Sequence, residues 1–232
     1  MFLSVMAAVI EIKRGSTVGI IGGTGSGKST LINLIPRFYD VTQGSVEVDG
    51  RNVKDYSFKQ LRKQIGIVPQ QSILFKGTIR DNMKWENPDL SDEDIITALK
   101  NAQAYEFVSK LPMGLDSHVE QGGKNFSGGQ RQRLCIARAI AAQPKVLILD
   151  DSFSALDFAT DAALRKALSQ YTHEMTVIIV TQRCSTIMNS DLILVLDDGM
   201  LVGKGTHKEL LKNCETYKEI CLSQLSKSEV EV

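Results

Sequence analysis

The chain has 232 residues, 43% of them apolar and 23% charged, enough to bury a sizeable core and too hydrophobic for a disordered segment. Lys plus Arg and Asp plus Glu stand at 27 each, so no overall field favours nucleic acid and no nucleic-acid partner is expected. No apolar run approaches the ~20 residues of a membrane-spanning helix, which predicts a cytoplasmic chain that reaches a membrane only by docking on a membrane protein.

The opening MFLSVMAAVI is apolar, lacks a basic flank and a small-residue cleavage signal, and runs straight into EIKRG. It reads as the beginning of a core strand rather than a signal peptide. TVGII (17–21), KVLIL (145–149), TVIIV (176–180) and DLILVL (191–196) are unbroken apolar runs, the pattern of strands buried on both faces of a parallel sheet. KSTLINLI opens a helix from a glycine loop, and FATDAALRKALSQ follows Asp157, a good N-cap. GSVEVDG alternates and ends in Asp-Gly, which predicts an antiparallel hairpin at the sheet edge.

The middle of the chain is different. SDEDIITALKNAQ begins with the capping pattern of Ser91 and Asp94, QAYEFVSKL is a short helix stopped by Pro112 and Gly114, and SGGQRQRLCIARAIAAQ ends before Pro144. The expected organisation is one α/β domain, with a core over 1–70 and 144–232 and a helical subdomain over about 71–143. Repeats and low-complexity linkers are absent from the sequence. Cys135, Cys184, Cys214 and Cys221 are scattered without close pairs or zinc spacing, and read as thiols of a reducing compartment. His118, His173 and His207 are isolated and read as surface or capping residues; Trp85 and Tyr105 should pack within the insertion, and the final SKSEVEV reads as a solvated tail.

Residues 20–30, IIGGTGSGKST, carry the densest chemical signal. Gly22, Gly23, Thr24, Gly25, Ser26, Gly27, Lys28, Ser29 and Thr30 fit a phosphate loop between a buried strand and a helix. Glycines let successive backbone N–H groups wrap a phosphate chain, Lys28 reaches the β- and γ-phosphates, and the Ser29 hydroxyl suits magnesium. This predicts a nucleoside triphosphate site. VLILD delivers Asp150 from a second buried strand, as a carboxylate to hold the magnesium. NFSGGQRQRLCIARAI adds a second anion-facing helix start, Ser127, Gly128, Gly129 and Gln130. One chain has no use for two γ-phosphate sites so far apart in sequence. Two chains facing head to tail do.

On these motifs the chain resembles the nucleotide-binding domains of ABC transporters over nearly its whole length. The resemblance extends to Gln70 in IVPQ, to FSGGQ in place of the family's LSGGQ, to LILDD, to SALD with Asp157 in the D-loop position, and to Gln182 in IVTQR at the switch position. LFKGTIRDNM and GTHKELLKNCETYKEI look like the multidrug and lipid exporter branch. The resemblance implies a P-loop NTPase fold and the cofactors ATP and Mg2+. It also implies Gln70 at the metal or the attacking water, QSILFKG facing a transmembrane domain, and Ser127 to Gln130 closing over ATP held by a partner.

Three departures stand against the family pattern. The base position holds Asp151 where Glu is usual, one methylene shorter. A base must come within about 2.6–3.2 Å of its water, and a misplacement of about 1 Å costs on the order of a hundredfold. Gln182 replaces the switch histidine; an amide can bond a γ-phosphate but cannot carry charge or shuttle a proton. The aromatic on which adenine stacks normally lies well upstream of the loop, and here only Phe2 precedes it. A stack contributes about 1–3 kcal/mol, so the expectation is weak isolated ATP affinity, in a fragment of a longer exporter or a truncated frame. With an intact signature, the two substitutions predict a slow site in this chain and a non-identical partner. The alternatives are a soluble ABC-type ATPase outside transport and a regulatory subunit that binds ATP without cutting it.

Overall fold

A computed structural model describes residues 9–171 and 175–225. Phe2 and most of the apolar opening, His173 and the SKSEVEV tail fall outside the described residues, and Val9 and Ile10 belong to no strand.

Among the described residues ten strands are formed: β1 (Thr17–Ile21), β2 (Glu47–Val48), β3 (Arg51–Asn52), β4 (Ile65–Val68), β5 (Gly77–Thr78), β6 (His118–Val119), β7 (Val146–Asp150), β8 (Thr176–Thr181), β9 (Leu192–Asp197) and β10 (Met200–Gly205). The main sheet runs β10-β9-β1-β8-β7-β4, parallel except for the edge strand β10. Period-two alternation explains the unbroken apolar runs. Val18, Ile20, Ile148, Ile178, Val180, Leu194 and Leu196 fill one face, while Leu147, Leu149, Val177, Ile179, Ile193 and Val195 fill the other. No described helix is long and apolar enough to cross a membrane.

Two strands of the main sheet, and the short β5–β6 hairpin, go beyond the sequence reading. β4 is short and contains Gly66, a weak strand residue in isolation. A Cβ there would stand 2.9 Å from Pro144 Cγ and 3.1 Å from the Ala139 carbonyl, so the glycine lets α6 and its following turn press onto the sheet. β10 is half exposed along its length and carries a register shift between Leu201 and Gly203. The GSVEVDG hairpin forms as expected but makes its own two-stranded sheet, β2–β3, instead of joining the main one.

The described residues also form ten α-helices, the last two following β10: α1 (Lys28–Leu34), α2 (Phe58–Arg62), α3 (Ile79–Met83), α4 (Asp92–Asn101), α5 (Tyr105–Val108), α6 (Gly128–Ala141), α7 (Phe158–Tyr171), α8 (Cys184–Ile187), α9 (His207–Asn213) and α10 (Glu215–Leu222). Helices α3 to α6 and the β5–β6 hairpin lie between β4 and β7, which are direct parallel neighbours. Ser91 and Asp94 form the expected capping box of α4. Asp157 caps α7, accepting from Thr160 N at 2.9 Å. Trp85 departs from expectation: it stacks on Phe75 at 4.1 Å between centroids yet remains 60% exposed. Tyr105 starts α5, half-buried, with the Lys100 ammonium over its ring. His118 lies exposed on β6.

Candidate active site

The loop of Gly22 to Ser29, Gln70, Asp150, Asp151 and Gln182 lie at or just after the carboxyl ends of β1, β4, β7 and β8, the edge where open parallel sheets present their ligands. β1 leads straight into the loop of Gly22 to Gly27. A Cβ on Gly22 would meet the Leu196 carbonyl oxygen at 2.0 Å, so no larger residue fits there. Gly27 caps α1 with φ +94°, in the left-handed region that glycine enters without steric cost. Gly25, also left-handed at φ +83°, and Gly23 have no neighbour that a side chain would meet.

Lys28 curls back over this loop. Its ammonium donates to the Gly22 carbonyl at 2.8 Å, the Gly23 carbonyl at 2.6 Å and Ser26 Oγ at 3.3 Å. Burial lowers its pKa, opposed by the carboxylates of Asp150 and Asp151. The Ser29 hydroxyl donates to Asp150 Oδ2 at 3.1 Å, joining the start of α1 to the end of β7. Burial lifts the Asp150 carboxyl above its ordinary range, while the Ser29 hydrogen bond works against that rise.

Asp151 follows directly, with φ +47°. A non-glycine residue in that region is uncommon, and its strain is held by neighbours. Its N–H donates to the Val180 carbonyl of β8 at 2.8 Å, and its own carbonyl accepts from Ser154 Oγ at 2.9 Å. The turn swings the side chain away from the strand to Gln70, whose Nε2 donates to Asp151 Oδ2 at 3.4 Å. Burial raises this carboxyl as well, opposed first by Arg183 and then by Lys28 and Gln70. Arg183 was not singled out from sequence. Its only cue was its place beside Gln182, and its guanidinium bonds the Ser154 carbonyl at 3.2 Å.

Gln182 stands exposed immediately after β8. Its carbonyl accepts from Gln224 Nε2 at 2.7 Å, and Gln224 Oε1 accepts from Cys184 N at 2.9 Å. A residue on the far side of α10 thus clasps the segment that carries the switch position, over a sequence distance that no local pattern reveals.

Ser127 to Gln130 form a separate structure. Ser127 Oγ accepts from Gln130 N at 3.2 Å while Gln130 Oε1 accepts from Ser127 N at 3.0 Å, a complete capping box for α6. Gln130 therefore has a local role besides any contact with a partner. A Cβ on Gly129 would stand 3.2 Å from the Ala155 carbonyl, so this helix start lies against the turn leading to Asp157. Thr24 is exposed on the loop and Thr30 is half-buried in α1.

The sequence profile of the family described as "ABC transporter" matches residues 6–154. An uncharacterized ABC transporter ATP-binding protein of Mycobacterium tuberculosis is 49% identical over 218 residues, covering 93% of this chain and 37% of that protein. A Staphylococcus aureus protein named as a candidate multidrug export ATP-binding/permease protein is 44% identical over 211 residues, covering 91% of this chain and 36% of its own length. A bacterial Atm1-family ABC exporter, solved with ATP bound, superposes with a TM-score of 0.86 at 38% identity, over 90% of this chain and 37% of that one. The chain thus spans little more than a third of the length of these relatives. By its sequence match and its fold, it belongs to the ABC transporter family.

Proposed function

We propose that this chain is the ATP-binding and ATP-hydrolysing module of an exporter, pairing head to tail with a second, non-identical ABC ATPase domain. The transmembrane domain it drives would hold it at the cytoplasmic face of the inner or plasma membrane. The relatives named for export and the exporter structure support this reading. So do the exposed Ile73, Phe75 and Trp85, which offer an apolar surface along and beyond QSILFKG. The helical stretch over about 71–143 would then move as a unit against the core over 1–70 and 144–232.

Loop 22–27 would wrap the triphosphate with backbone N–H groups, and Lys28 would exchange the Gly22 and Gly23 carbonyls for phosphate oxygens. Ser29, Asp150 and Gln70 present hydroxyl, carboxylate and amide oxygens, a hard donor set that fits Mg2+. When bound, that ion neutralises charge on the phosphate oxygens. Asp151 would be the group to reach an attacking water, whose proton its Oδ2 would accept. Gln70 and Gln182 would orient water and γ-phosphate by hydrogen bonds, with neither able to carry a proton. Ser127 to Gln130 would cover ATP bound by the partner, beside Asp157.

The observation that carries the slow-site reading is the pairing of a one-methylene-short base with a neutral switch residue in one half-site, Asp151 and Gln182. The test uses the complete transporter purified with its partner. Asp151→Asn is expected to leave most of the ATP turnover, whereas amidation of the partner's base removes it. Equal loss from both substitutions would make the asymmetric reading wrong.

A further inference from the structure

Cys184, His207 and Cys221 lie far apart in sequence, and each belongs to a different helix, α8, α9 and α10. Their ligand atoms, two Sγ and one imidazole nitrogen, nevertheless stand within 4.8 Å of one another. Both cysteines are fully buried and carry free thiols. The expectation that these residues are scattered and isolated is therefore corrected: linear spacing did not reveal a convergence made by three helix ends. Tyr217 completes the group from α10. Its buried hydroxyl lies 2.7 Å from His207 Nδ1 and accepts from Cys184 Sγ at 3.5 Å, so it sets the orientation of both.

The geometry points to a binding site for a thiophilic divalent cation of the zinc class, held by Cys184, Cys221 and His207, with Tyr217 as orienting partner or fourth donor. Soft sulfur with imidazole is the donor set such ions select. Tetrahedral coordination at about 2.3 Å to sulfur and 2.0–2.1 Å to nitrogen brings ligand atoms to within about 4 Å of one another. The observed spread needs only a small closure. Charge favours a divalent ion: two thiolates and one 2+ cation sum to zero, which avoids a net charge in a dry interior. The site is distinct from the phosphate-loop residues but linked to them mechanically. Cys184 lies two residues past Gln182, and Gln224 bonds both Gln182 O and Cys184 N. A bound ion would pin α9 and α10 to the segment carrying the switch position.

The test titrates the full chain with Zn2+ under a phosphine reductant, against a competing chromophoric chelator. The expectation is one Zn2+ per chain and a higher unfolding temperature when loaded. Co2+ substitution of the unaltered protein should give a sulfur-to-cobalt charge-transfer band. The Cys184→Ser/Cys221→Ser variant should bind Zn2+ at least about a hundredfold more weakly, more than loss of an outer-shell partner costs. Cys135→Ser/Cys214→Ser, altering the two other buried thiols, should bind as the natural chain does. Absence of the cobalt–sulfur band would overturn the proposal without reference to any variant. So would equal Zn2+ affinity in both double variants, binding of Cu+ with none of Zn2+, or a Cys184–Cys221 disulfide formed by oxidised glutathione in protein that takes up no Zn2+.

Discussion

Gln70 Nε2 donates to Asp151 Oδ2 at 3.4 Å, so a side chain just beyond β4 steadies the carboxylate just beyond β7. The bond joins the two strands between which the helical region departs and returns. A movement of that region after Gln70 would therefore be felt first at Asp151, the residue proposed to accept the proton of the attacking water.

That bond is one of the influences holding the Asp151 carboxyl down against the rise caused by burial. Gln70→Ala removes it, so Asp151 protonates at higher pH. The acidic limb of the pH–turnover profile, recorded on the complete transporter with any partner base amidated, is expected to move upward. A limb that stays in place would detach Asp151 from the titration.

Asp150 has its carboxyl raised, chiefly by burial, so its charged form is less favourable folded than unfolded. Its contribution is favourable below the unfolded-state pKa and is lost as pH rises through the folded one. At neutral pH Asp150→Asn should raise the unfolding temperature of the metal-free chain, while at acid pH the two proteins converge. Magnesium-dependent ATP binding should weaken in the same variant, trading function for stability.

Gly22→Ala puts a methyl group 2.0 Å from the Leu196 carbonyl. Because backbone must shift rather than a flexible side chain, the expected loss is about 1–3 kcal/mol by denaturant unfolding. Nucleotide binding should fall with it, since the displaced loop is the one proposed to wrap the phosphates.

Ser127→Ala removes the hydroxyl that accepts from Gln130 N. Loss of such a cap costs about 1 kcal/mol, measurable on the chain alone. Ser127→Asp, which can still cap the helix, should restore that stability but repel a partner's γ-phosphate. The two variants thereby separate capping from ATP contact.

Much of this arrangement could be read from the sequence because it is encoded locally. The residues from Gly22 to Ser29 form one consecutive run whose glycines carry the turn, and the strands ending at Ile21, Asp150 and Thr181 are apolar on both faces. β4 and β10 escaped that reading because Gly66 interrupts one and solvent exposure weakens the pattern of the other. Gln224, Arg183 and the Cys184–His207–Cys221 group escaped for another reason. Their partners are assembled only when α8, α9 and α10 fold against the end of β8, and no periodicity records contacts between such distant segments.

The chain is proposed to contribute more to its partner's site than to its own. In the complete transporter, ATP turnover should be compared between Lys28→Ala, which would disable the loop of this chain, and Ser127→Arg, which would block the surface it lends. Ser127→Arg is expected to lower turnover at least about tenfold, equivalent to ~1.4 kcal/mol of barrier, and Lys28→Ala markedly less. Equal losses from the two substitutions would contradict it.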